Sequence, residues 1–339
     1  MGGFYFFMSL QFSFIIPVYN RPNEVRELLE SFLRQESNDF EIVIVEDGSE
    51  KTSESVIAEF KNALTISYYQ KENTGPGDSR NYGMKHAKGN YYIILDSDCV
   101  LPPHYFDEIK KQLNHNFVHC FGGPDKADKS FTNIQKAIDF AMTSFITTGG
   151  IRGKKGGVGR FQPRSFNMGL SKEAFLKTGG FGNIHPGEDP ELVFRIWKEN
   201  YETRLFENAF VYHKRRINWQ KFHAQVSKFG MVRAILNKWH PNTSKITYWF
   251  PTFFILGFLA SLILLVFKIQ WPITLYILYF TVVLVSAFVK TKNVVASILA
   301  CWAALIQFFG YGFGFLKSTI LVNFSNKEPH IIFPKLFFK

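Results

Sequence analysis

Cysteine is scarce in this chain. Cys99, Cys120 and Cys301 are the only three in 339 residues, too few and too scattered for a disulfide framework or a zinc site. A reducing compartment is the simple reading. No internal repeat is visible. Acidic residues are almost lacking beyond residue 212: residues 213–245 hold none and residues 246–339 hold only Glu328. Of the formal +11, +8 falls in residues 213–245 and +6 in residues 246–339, leaving −3 for residues 1–212. The globular part is therefore slightly acidic, which argues against a nucleic-acid partner. A signal peptide is not expected either. Residues 1–7 are apolar but have neither a basic leader nor a small-residue cleavage site, and Met8 is an alternative start.

Apolar residues are abundant. They make up 46% of the chain, with 38 Phe. Three uncharged stretches, 246–267, 271–289 and 294–316, are each long enough, at about 20 residues, to cross a hydrocarbon core. The basic segment 214–245 precedes them. It mixes Trp219, Phe222, Val226, Phe229, Val232, Leu236 and Trp239 with Lys and Arg. It reads as an amphipathic region on a surface of anionic lipid, broken near Gly230. Lys290 and Lys292 favour a cytosolic N-terminal domain under the positive-inside rule, whereas Lys317, Lys327, Lys335 and Lys339 do not.

Residues 12–100 alternate between buried-type runs and amphipathic stretches. Strands are expected at 12–17, 41–45, 64–69 and 91–95, and helices at 23–35, 53–62 and 77–87. This rhythm predicts a mainly parallel sheet with helices on both faces. Ligands in such sheets bind beyond the carboxyl ends of the strands. The polar clusters Tyr19-Asn20-Arg21, Glu46-Asp47 and Asp96-Ser97-Asp98 fall at those ends. Two carboxylates one residue apart, where a buried strand emerges, suit a hard divalent cation gripping a diphosphate. Asp96 and Asp98 could equally be turn and cap residues before Pro102-Pro103. Residues 101–212 are less regular. A short helix ending at Gly179-Gly180 and another over 191–199 are expected there. The glycine-rich stretch 149–159 lacks P-loop spacing and reads as a loop, either a lid with Lys154, Lys155 and Arg160 as phosphate contacts or a plain surface segment.

Over residues 12–240 the chain resembles the family-2 inverting glycosyltransferases of the GT-A fold, in a membrane-anchored subgroup. The resemblance rests on Pro17-Val18-Tyr19-Asn20, Val45-Glu46-Asp47-Gly48-Ser49, Asn73 to Gly77 with Ser79-Arg80-Asn81-Tyr82-Gly83, Asp96-Ser97-Asp98, and Gly187-Glu188-Asp189-Pro190-Glu191-Leu192. It implies a GT-A catalytic domain over 1–213, the interface segment 214–245 and a membrane domain over 246–339. It also implies roles. Pro17, Tyr19, Glu46 and Asp47 border the base and ribose of a UDP- or GDP-linked sugar, with Glu46 standing where the family usually has Asp. Gly75 and Arg80 line the nucleotide, and Asp96 faces the ribose. Asp98 holds the metal, joined in some relatives by the position of His213. Asp189 is the base, with Glu188 beside it, and Asn167 lies on the acceptor side.

The residues make chemical sense of this. Mg²⁺ or Mn²⁺ on Asp98 would stabilise a departing diphosphate, and Asp189 would take the proton of an acceptor hydroxyl. The expected activity is transfer of one sugar to a lipid-linked or membrane-proximal glycan acceptor at a bacterial-type inner membrane, with the catalytic face cytosolic. A processive polysaccharide synthase, a polyprenyl-phosphate glycosyltransferase and a catalytically dead membrane scaffold are the alternatives.

Overall fold

The computed structural model describes residues 9–126, 131–149, 160–213 and 218–338. Lys154, Lys155 and the start Met1 or Met8 lie outside them. The chain divides into two units: residues 1–126, 160–214 and 338–339 form one, and residues 127–159 and 215–337 the other.

Among its described residues the first unit has ten strands. They are β1 (Phe12–Val18), β2 (Phe40–Asp47), β3 (Ile66–Lys71), β4 (Tyr91–Leu95), β5 (Cys99–Val100), β6 (Cys120–Gly122), β7 (Asp125–Lys126), β8 (Asn167–Ser171), β9 (Thr203–Leu205) and β10 (Val211–His213). Seven join in the order β3-β2-β1-β4-β8-β6-β9, and β5-β10-β7 form a small second sheet. β1 runs parallel to both β2 and β4, with Phe14 opposite Ile42 and Ile93. These strands are apolar on both faces because both faces are covered. On one face Phe14, Ile16, Ile42 and Ile44 meet Leu28, Phe32 and Phe106. On the other, Ile15, Val43, Val45 and Ile94 meet Met84, Leu192 and Ile196. Phe14 and Phe32 pack edge-on, with ring centroids 4.7 Å apart.

Two registers position the site. β8 is antiparallel to β4 with Asn167 opposite Leu95, which carries the segment before it to the carboxyl edge of the parallel strands. β10 is antiparallel to β5 with His213 opposite Cys99, one residue after Asp98. The strand β8 was not anticipated. Asn167, Gly169 and Ser171 interrupt its apolar pattern, yet it is buried throughout because β4 and β6 flank it.

The second unit is helical. Among the described residues three helices are long and apolar enough to cross a membrane: Ile246–Val266, Trp271–Thr291 and Val294–Phe324. The last runs beyond residue 316 and takes Lys317 with it. The helix Trp219–Trp239 is continuous, so the break expected at Gly230 is corrected. Glycine there serves close approach instead. A Cβ on Gly230 would lie 2.2 Å from the Tyr311 carbonyl oxygen, and one on Gly314 would lie 2.4 Å from that of Ser227. Arg233 on this helix is buried, its guanidinium 4.5 Å from the Tyr248 ring centroid, and is not part of a solvated basic face.

Candidate active site

The carboxyl ends of β1 and β2 are stitched together first. Asn20 adopts φ +55°, its N–H donates to Ser49 Oγ at 2.7 Å, and its Oδ1 accepts from the Lys51 N–H at 3.0 Å. Pro17 closes this edge half-buried, and Tyr19 stands 53% exposed beside it. Glu46 points inward. Its carboxylate accepts from the Ser49 hydroxyl, from the Ser53 N–H at 2.9 Å and from the Tyr68 hydroxyl at 3.2 Å. Burial, then the Glu46 charge, pushes the Tyr68 phenol up to about 12.

Asp47 organises the next loop. It pairs with Lys71 at 2.6 Å and accepts the N–H groups of Thr74 and Gly75, each at 3.0 Å. Gly75 is at φ +95°, and a Cβ there would lie 2.4 Å from the ring of Phe338. Glycine is required twice over, by the backbone and by the ring. Glu46 and Asp47 thus hold the loops that frame the strand ends.

Arg80 occupies the centre. Its side chain is only 5% exposed, with Nη2 at 2.8 Å from Asp96 Oδ1 and Nη1 at 3.2 Å from Glu188 Oε1. Phe181 lies beneath, its ring centroid 5.3 Å from the guanidinium carbon. Glu188 Oε1 also takes His185 Nδ1 at 3.0 Å. A carboxylate only accepts, so that nitrogen is the donor.

Glu188 and Asp189 open the helix Glu188–Lys198, where the positive end of the helix dipole favours carboxylates. Their environments nevertheless split them. Burial opposes charge on Glu188, but the hydrogen bond and charge of His185 and the charge of Arg80 outweigh it, so this carboxyl is held low. Asp189 is pushed up, first by burial and then by the Glu188 charge. Arg80, Arg164 and the Ser165 hydroxyl offset this only in part. Asp189 Oδ1 is buried and has no hydrogen-bond partner. A carboxylate with raised proton affinity and one oxygen unengaged is suited to take a proton.

At the end of β4, Asp98 meets Arg21, whose Nη1 donates to Asp98 Oδ2. Among the described residues no cluster of three or more His, Cys, Asp or Glu could hold a metal ion. The fit of a hard cation was tested on the donor set. Asp98 supplies a carboxylate that already favours a positive group, and the β5–β10 register brings the backbone of His213 alongside it. Asp98 fits the role of a hard oxygen ligand to a divalent cation, which would also take diphosphate oxygens and water.

The geometry therefore joins Asp96, Arg80, Glu188 and Asp189, places Asp98 two residues from Asp96, and ties Asp47 to Gly75. It does not bring two other residues into that network. Asn167 is fully buried, accepting from the Tyr105 hydroxyl at 2.7 Å and donating to the Ala209 carbonyl at 2.8 Å. Arg160 lies over the Trp197 ring at 5.9 Å. Sequence reasoning passed over His185, Arg164 and Ser165, and named Arg21 only within a polar cluster. Three-residue spacing to Glu188 was the available signal for His185; nothing local marked Ser165.

A mainly parallel sheet with helices on both faces is the architecture of the GT-A fold. Residues 13–177 match the model of glycosyl transferase family 2, and this stretch resembles that family. An uncharacterized glycosyltransferase of Haemophilus influenzae is 31% identical over 195 residues, 55% of this chain and 62% of that protein. Chondroitin synthase of Escherichia coli is 25% identical over 240 residues, 60% of this chain and 34% of that protein. The chain spans less than two thirds of the length of these curated relatives. A mannosyltransferase of Pyrobaculum calidifontis, solved with GDP-Man and Mn²⁺, aligns with a TM-score of 0.56 at 17% identity. That alignment covers 94% of this chain and 88% of that one, a likeness of fold alone.

Proposed function

We propose that the chain is an inverting, metal-dependent glycosyltransferase. It moves a sugar from a UDP- or GDP-linked donor to a lipid-linked or membrane-proximal glycan acceptor in cell-surface polysaccharide assembly. The observation that carries this reading is the Arg80 clasp, which holds the end of β4, with Asp96 and Asp98, beside the helix that starts with Glu188 and Asp189. The donor end and the base end of a displacement reaction are thereby parts of one network.

In this reading Asp98, with His213, holds Mg²⁺ or Mn²⁺, which supplies positive charge to a departing diphosphate. Asp96 faces the ribose. Pro17, Tyr19 and the loops anchored by Glu46 and Asp47 receive the base. Asp189 takes the proton of the acceptor hydroxyl, and Glu188 raises its proton affinity. Attack on the face opposite the leaving group inverts the anomeric carbon. The mannosyltransferase carrying GDP-Man and Mn²⁺ supports the donor class and the ion. The three apolar helices and the basic residues before them support attachment to an anionic inner membrane, with the catalytic unit on the cytosolic side.

The test is a screen of UDP- and GDP-sugars with Mn²⁺ and Mg²⁺. One donor should be hydrolysed slowly by the full-length protein in detergent, and EDTA should stop it. No binding of UDP or GDP with either ion would contradict the reading.

A further inference from the structure

Arg80, expected as the positive group facing the donor, has its guanidinium sealed between Asp96 and Glu188. At the carboxyl edge of the sheet Arg21 presents an exposed guanidinium. It follows Tyr19 and Asn20 at the end of β1. Its side chain is 46% exposed, against 11% for Asp98, to which its Nη1 donates. Asp96 and Glu24 add negative potential around it. A guanidinium thus stands where a cation is expected, on a stem that solvent leaves free to turn.

We propose that Arg21 is a phosphate-binding and positioning residue that holds Asp98 in the donor-free protein and passes to the donor diphosphate when a divalent ion takes Asp98. This rests on the reading of Asp98 as the metal ligand. Two cations cannot crowd one carboxylate without repelling each other. The arriving diphosphate resolves that conflict, because its oxygens accept both the ion and the guanidinium fork, a pairing for which planar Arg is suited and Lys is not. The consequence is coupling: a bare ion binds weakly, the nucleotide alone binds weakly, and the two bind well together.

The experiment measures two affinities on the full-length protein in detergent. Free Mn²⁺ is titrated by electron paramagnetic resonance without nucleotide. UDP and GDP are titrated calorimetrically with Mn²⁺ saturating. Arg21→Ala should bind free Mn²⁺ about tenfold more tightly and the nucleotide about tenfold more weakly, opposite signs that general damage does not produce. Arg21→Lys, which keeps the charge and loses the fork, should stay near wild type for Mn²⁺ and lose several-fold for the nucleotide, and it serves if the alanine variant folds poorly. Affinities that fall together, or that do not move while wild type binds nucleotide, overturn the proposal for Arg21 alone. A wild-type protein that binds neither nucleotide with Mn²⁺ overturns the donor reading beneath it.

Discussion

Arg80 Nη1 lies 3.2 Å from Glu188 Oε1, joining residues 108 positions apart, with both side chains almost wholly buried. The same guanidinium reaches Asp96. The pair is therefore a fastening between the strand that leads to Asp96 and Asp98 and the helix that opens with Glu188 and Asp189.

Arg80→Met should cost about 3–5 kcal/mol, because it leaves Glu188 buried with His185 as its remaining ion-pair partner among the described residues. It should also move the acidic limb of the rate profile. Arg80 lowers the Asp189 proton affinity, so its loss raises that pKa and shifts the limb to higher pH. Thermal unfolding and a pH–rate profile check both effects.

Glu188→Gln should shift that limb the other way. The Glu188 charge raises the Asp189 pKa, so a neutral side chain lets it fall, and activity persists to lower pH. A profile that superimposes on wild type would remove Glu188 from the tuning of the base.

Gly75→Ala places a Cβ at φ +95° and 2.4 Å from the Phe338 ring. The strain should cost about 1–3 kcal/mol and weaken UDP or GDP binding, read by thermal shift and calorimetry.

In the helical unit, Gly230→Ala should lower the thermal midpoint in detergent more than Gly257→Ala. The new methyl at 230 meets the Tyr311 backbone carbonyl at 2.2 Å, whereas at 257 it meets the movable Tyr276 hydroxyl at 2.6 Å.

The parallel strands were legible because each is a short apolar run closed by a polar cluster, and that pattern also marked Asp96 and Asp98, whereas Asp189 stood out only through the family resemblance of Gly187 to Leu192. β8 was not, since its burial comes from neighbours far along the chain. Gly169, read locally, looks like a loop residue; in the sheet it admits the Phe121 ring, which would lie 1.9 Å from a Cβ. The direction of side chains was equally hidden. Nothing in Val45-Glu46-Asp47 says that both carboxylates bind their own loops, and nothing in Ser79-Arg80-Asn81 says that Arg80 turns inward to two acids distant in sequence.

The most direct test of the central claim is Asp189→Asn, followed by both nucleotide binding and turnover. The asparagine keeps the shape and loses the base. UDP or GDP with Mn²⁺ should bind within about twofold of wild type while kcat falls by about 10²–10⁴-fold. A near-wild-type kcat would contradict the assignment of Asp189 as the group that activates the acceptor.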